Sequence, residues 1–137
     1  MPDEALYTEC CEEAINRGFP MEGKYSIRPY MASGVAMMAF TYAHLPDRAT
    51  KMWICLFSAA ISGIDNNMDD IEQVYAFNER FASRQPQGDP ALQAYDTLLR
   101  EIPRLYSPVV SNLIVTSALD YITSILIEHE TKDMKVW

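Results

Sequence analysis

Basic charge is what this sequence most lacks. Its 137 residues hold 11 lysines and arginines against 19 aspartates and glutamates, a net charge of −8. A chain with that balance has no bulk attraction for nucleic acid or for an anionic membrane surface. If it binds phosphates, it must do so locally or through metal ions. Cysteine is also scarce. Cys10 and Cys11 are adjacent, Cys55 stands apart, and no pair has C-x-x-C spacing. That argues against a disulfide framework or a zinc site and for reduced thiols in a cytoplasmic protein. The N-terminal "MPDEALYTEC" is acidic and has no apolar core, so no signal peptide is expected. Walker-type and Gly-x-Gly-x-x-Gly loops are missing, as is the G-x-S-x-G context of a hydrolase nucleophile. His44 and His129 lie far apart in the sequence, and surface or capping roles suit them better than a metal or acid–base role. No strand or hairpin signal and no internal repeat is visible.

What is there reads as helix. Length predicts one domain. Asp3 is placed to cap a helix running to about Asn16, which Gly18 and Pro20 end. Pro29 suits the first position of a second helix, to about His44. Asp47 then caps a third, which runs through "MWICLFSAAI" into an acidic cluster and on to Phe81. After the loop "RQPQGDP", Asp89 and Pro90 open a helix to about Ile102, and Ser107 with Pro108 open the last, to about Glu130. The expectation is an all-α bundle of about five helices. The stretch "VVSNLIVTSALDYITSILI", Val109 to Ile127, is nearly long enough to span a bilayer. It contains Asn112 and Asp120, and a mid-bilayer aspartate costs about 3 kcal/mol, so a buried helix in a soluble bundle is expected rather than a transmembrane segment.

Trp53, Phe57, Ala60, Ile61 and Ile64 share one face of the third helix, and apolar residues on its other faces mark it as central. Asp65 follows one turn after Ile61, about 40° away around the axis. If the helix continues, Asp69 and Glu72 fall on the same side. Like charges so spaced oppose one another by about 0.2–0.5 kcal/mol per pair. Two readings offset that repulsion. One is a solvated acidic helix end. The other is a Mg²⁺ site, since Mg²⁺ takes one or two carboxylates, keeps several waters and completes its shell with substrate phosphates.

The stretch "GIDNNMD" resembles the aspartate-rich D-D-x-x-D/E motif of class I terpene synthases. "GVAMMAFTYAHLPDRATKMWICLFSAAISGID" resembles the helix pair leading into that motif in the trichodiene synthase family of fungal sesquiterpene cyclases. "FNERFASRQPQGDPALQAYDTLLREIPRLYSPVVSNLIVTSALDYI" is similar to the same family, including its "PQGDP" loop and "LDYI" helix. The resemblance covers most of Arg28 to Glu130 and implies a terpenoid-synthase-like helical bundle around an apolar pocket. It implies a prenyl diphosphate substrate, usually farnesyl diphosphate, ionised with Mg²⁺ as cofactor to a carbocation that cyclises. Asp65 matches the first aspartate of the motif, the principal metal ligand, and Asp69 its last acidic position. Asn66 stands where the family usually has a second aspartate; an amide brings no charge there, and Asn66 is instead a candidate substrate-pocket residue. Phe40, Tyr42, Trp53, Phe57, Tyr75 and Phe77 are candidates to line the pocket, each with core packing as the alternative. Asp120 suits a structural polar role or a place facing the cavity.

The family's second metal motif, N-D-x-x-S-x-x-x-E, its diphosphate-sensing arginine and its C-terminal Arg-Tyr pair do not occur in this sequence. The expectation is therefore a single truncated cyclase domain over residues 1–137, with exposed apolar helix faces and homo-oligomerisation or aggregation as their result. The competing expectations are a catalytically inactive helical remnant that binds without turnover, and a plain helical interaction module with a solvated acidic face.

Overall fold

The computed structural model describes residues 4–41, 47–67 and 70–132. It is all helical, with no strand among the described residues. The helices are α1 (Glu4–Asn16), α2 (Arg28–Ala36), α3 (Arg48–Asn67), α4 (Ile71–Ser83), α5 (Pro90–Arg100), the single turn α6 (Ile102–Leu105) and α7 (Pro108–Thr131). A π-helical turn, Met37–Thr41, continues α2.

The starts follow side-chain chemistry written into the sequence. Asp47 accepts from the Ala49 backbone N–H at 3.0 Å and from the Thr50 hydroxyl at 2.6 Å, opening α3. Asp89 accepts from Leu92 N–H at 3.0 Å ahead of Pro90. Ser107 accepts from Val110 N–H at 3.4 Å ahead of Pro108. Each oxygen satisfies a donor that the first helical turn leaves without an internal partner. Gly18, at φ 88°, ends α1 in a conformation that a side chain would resist. Pro29 occupies the second position of its helix, one later than expected, because α2 already begins at Arg28. Asp3, Tyr42 and His44 lie outside the described residues.

Three expectations are corrected. The third helix does not run unbroken to Phe81: α3 is described to Asn67, Asp70 is non-helical, and α4 begins afresh at Ile71. Asn and Asp crowd this stretch, and their side chains compete with helical hydrogen bonding. Glu72 therefore belongs to the first turn of α4, and the helical phase that placed it beside Asp65 does not carry across. The helix expected to end at Ile102 divides at Glu101 into α5 and α6. The last helix is not buried within this chain. Only Ser111, Ala118 and Ile122 of α7 are buried, while Val109, Leu113 and Ile127 stand more than half exposed. Apolar helix surface is therefore exposed on α7.

The core sits between α3 and the helices around it. Cys55, Leu56, Ala59 and Ala60 of α3 are buried, against Met31 and Val35 of α2 and Cys10 and Ala14 of α1. All three cysteines are buried free thiols. Within α5, Leu92, Tyr95, Leu98 and Leu99 are buried, and Trp53 Nε1 donates to the Leu98 carbonyl at 2.8 Å. Arg17 at the end of α1 pairs with Glu13 and with Glu101 at the α5–α6 junction. Asp96 is a buried carboxylate. Arg100 Nε donates to it at 2.7 Å and Gln87 Nε2 at 2.8 Å, which ties the "PQGDP" loop onto α5. The Arg100 guanidinium also covers the Phe81 ring at 4.3 Å.

Candidate functional site

The helix periodicity that places Phe57 and Ile61 on one side of α3 turns both toward α7. Between the two helices lies an open cavity of about 410 Å³. Its walls are Phe57 and Ile61 from α3 and Ile114, Ser117, Ala118 and Tyr121, among others, from α7. A second hollow of about 360 Å³ meets it at Phe57 and Ile114 and extends to Trp53 and Tyr106. Volumes of this size suit a small organic ligand. The surface is apolar except for Ser117 and Tyr121 in the first hollow and Ser58, Trp53 and Tyr106 in the second.

A row of aromatic rings leads from this wall into the core. Trp53 stacks on Phe57 with centroids 4.6 Å apart. Phe57 stacks on Tyr95 at 5.9 Å, and Tyr95 meets Phe77 at 5.6 Å. Trp53 also meets Tyr106 edge-on at 5.7 Å. The Trp53–Leu98 hydrogen bond ties the Trp53 ring to α5.

Asp65 follows Ile61 by one turn and is exposed near the end of α3. Tyr121 of α7 lies near enough to feel its charge. Burial chiefly, with the negative charge of Asp65 next, raises the Tyr121 pKa above its ordinary 10.0. Asp69 lies outside the described residues. Asn66 is exposed, and its Nδ2 turns back to the Ser62 carbonyl at 2.8 Å on the same helix. It is not among the cavity-lining residues.

Of the aromatic candidates, Phe57 joins both hollows and Trp53 lines the second. Tyr75 is elsewhere. It lies on α4, 41% exposed, and donates to the Glu130 carboxylate at 2.6 Å. That hydrogen bond is the main cause of its raised pKa. Phe77 is fully buried in the core. Phe40 lies within the π-helical turn, but its side chain is outside the described residues. Asp120 is exposed on α7. Tyr121 and Ser117 are the site residues that sequence reasoning did not single out. Tyr121 is carried in "LDYI", but only the pairing of α3 with α7 brings it to Asp65.

Among the described residues, no group of three or more His, Cys, Asp or Glu side chains lies close enough to hold a metal. Asp65 offers a hard, exposed carboxylate one turn beyond the cavity wall. It fits the one-carboxylate role of a Mg²⁺ ion that keeps several waters. It does not make a full coordination shell.

No family model matches the chain. It is similar to several fungal terpene synthases. It is 28% identical to alpha-cuprenene synthase COP6 of Coprinopsis cinerea, over 98% of this chain and 42% of that protein. It is 31% identical to terpene synthase BipA of Cochliobolus sativus, over 93% of this chain and 39% of that protein. Monoterpene synthase 25 of Postia placenta is 27% identical over 77% of this chain and 32% of its own length. The chain spans about two fifths of the length of the first two relatives, 42% and 39%.

Proposed function

We propose that this chain forms part of a Mg²⁺-dependent terpene cyclase of the trichodiene synthase type, acting on a prenyl diphosphate, with farnesyl diphosphate as the substrate. One observation carries the reading: an apolar, aromatic-walled cavity between α3 and α7 has a carboxylate, Asp65, one turn beyond its wall. The similarity to fungal terpene synthases along nearly the whole chain supports it.

In this reading Asp65 and Asp69 are the ligands that hold Mg²⁺ at the mouth. Bound there, the ion would supply Lewis-acid stabilisation for the departing diphosphate. The chain's own residues do the rest. Ile61, Ile114 and Ala118 offer the isoprenoid an apolar wall and exclude water, which would quench a carbocation. Phe57 and Trp53 present aromatic rings to a developing positive charge, each worth about 0.5–2 kcal/mol. Their stacking holds those rings in place before the charge forms.

The test is calorimetric binding of a non-ionisable farnesyl diphosphate analogue, with and without Mg²⁺, to the wild-type chain and to Asp65→Asn. Mg²⁺-dependent binding that Asp65→Asn abolishes is the expected result. Binding of equal strength without Mg²⁺, or unchanged in Asp65→Asn, would refute the metal role. Incubation with farnesyl diphosphate and Mg²⁺, read by gas chromatography–mass spectrometry, then separates a cyclase from an inactive helical binding module.

A further inference from the structure

Helix α7 carries a pattern that the proposed chemistry does not use. Val110, Leu113, Ser117, Asp120, Ser124 and Ile127 all lie on its exposed side. Their spacing alternates three and four residues, as in the seam between two helices that wind along each other. That spacing is the same read in either direction. With a two-fold axis between Ala118 and Leu119 and a second α7 running antiparallel, Val110 faces Ile127, Leu113 faces Ser124 and Ser117 faces Asp120. Apolar ends meet apolar ends. Ser124 Oγ is already bonded to the Tyr121 carbonyl of its own helix at 2.7 Å, which leaves a small side chain for Leu113 to pack on. At the centre a hydroxyl meets a carboxylate. Among the described residues neither Ser117 Oγ nor Asp120 has a hydrogen-bond or ion-pair partner, so both are available for that contact. The two Asp120 carboxylates oppose one another near the axis, which keeps the association weak. Leu113 and Ser117 also belong to the wall of the 410 Å³ cavity, with Phe57 and Ile61 opposite, so a second α7 on this seam covers that cavity's open side. About fifteen residues per copy at roughly 30–40 Å² each come to about 1,000 Å² in all, the lower limit of a specific interface.

We propose that α7 is a docking surface for a second copy of this chain, which binds antiparallel across the Ala118–Leu119 two-fold and closes the cavity between α3 and α7 in both copies. The occupant is a second copy because the face complements itself, in spacing and in its central donor and acceptor. The inference does not depend on the metal reading of Asp65.

Sedimentation velocity of the wild-type chain over about 1–200 µM should show a monomer–dimer equilibrium with Kd on the order of 10 µM and no larger species. Leu113→Lys changes a side chain that is 63% exposed in the single chain, so its circular dichroism should match wild type while its dimer weakens at least tenfold. Cysteine pairing tests the register. Val110 of one copy faces Ile127 of the other, whereas the two copies of Val110, or of Ile127, stand about 26 Å apart at 1.5 Å per residue. Under mild oxidation the double variant Val110→Cys, Ile127→Cys should therefore crosslink into dimers on a non-reducing gel, and neither single variant should. The native Cys10, Cys11 and Cys55 are buried and do not compete. A wild-type chain that stays monomeric at about 200 µM, as it would if another segment or a different protein covers α7, would overturn the proposal. So would an unweakened dimer in Leu113→Lys. Crosslinking of Val110→Cys alone as readily as of the double variant would mean parallel or random apolar association and would overturn it too.

Discussion

Gly34 lies where α2 crosses α3, and replacing it by alanine tests that crossing directly. A Cβ at this position would stand 2.5 Å from the Cys55 carbonyl oxygen and 3.3 Å from its sulfur. Ordinary contact begins at 3.4 Å, so the helices would have to part by about 0.9 Å (3.4 − 2.5). The obstacle is backbone, which cannot turn aside as a side chain can. Around it Met31, Val35, Cys55 and Leu56 are fully buried, so the parting would loosen a packed core. In an open helix the change from glycine to alanine stabilises by about 1 kcal/mol. Overpacking costs about 1–3 kcal/mol, and a backbone clash belongs at the upper end. The balance is a loss of about 2 kcal/mol. With a urea m-value of about 2 kcal/mol/M, the unfolding midpoint should fall by about 1 M. Gly63→Ala is the control. Its Cβ would meet Ile27 Cγ2 at 3.1 Å, the end of a side chain that can shift, and its stability should stay within about 0.5 kcal/mol of wild type. A Gly34→Ala protein as stable as wild type would refute the close crossing of α2 on α3.

Two further substitutions probe groups whose partners are unusual. The Tyr95 hydroxyl is buried and finds no hydrogen-bond partner among the described residues, so Tyr95→Phe should raise stability by about 1 kcal/mol in urea unfolding; a loss of that size would mean the hydroxyl is satisfied. Burial raises the Tyr95 pKa above the 10.0 of an unfolded chain, so stability does not depend on this phenol's titration below pH 10 and falls as pH rises from there toward its native pKa; the wild-type chain should therefore lose stability above pH 10 more steeply than Tyr95→Phe. Arg100→Ala removes one of two donors from the buried Asp96 and uncovers Phe81, and should cost about 2–3 kcal/mol, discounted for the partly exposed arginine; adding Asp96→Asn should recover part of that loss in thermal unfolding, and no recovery would show that the charge is not what matters.

The parts of the fold that were legible are those governed by neighbours in sequence. Asp47, Asp89 and Ser107 could be assigned as caps because a cap needs only its own side chain and the next three residues. The apolar face of α3 was legible for the same reason, and with it Phe57 as a cavity residue. The break between α3 and α4 was missed because the apolar pattern was extended through "DNNMDD", where the low helix propensity of Asn and Asp outweighs it. Burial of α7 was misjudged because an apolar helix is buried only if something covers it, and its composition does not say what does. Tyr75 was placed with the pocket on aromatic character alone; its phenol instead meets Glu130 on the far part of α7. Tyr121 could not be found by local reasoning, since its place in a cavity wall shared with Phe57 and Ile61 depends on how distant helices lie.

The break between α3 and α4 has an electrostatic consequence for the carboxylates on either side of it. The peptide dipoles of α3 sum to partial negative charge at its last turn, which is where Asp65 sits, with no basic residue in that turn to offset it. Glu72, across the break, occupies the first turn of α4, where the dipole is positive and a carboxylate is welcome. One acidic run is thus divided into a half that its helix opposes and a half that its helix favours, by about 0.3–1 kcal/mol each at low ionic strength. The strain falls on the Asp65 side, so counterions should gather there first, and dissolved salt should tighten the end of α3 while loosening the start of α4 by a similar amount.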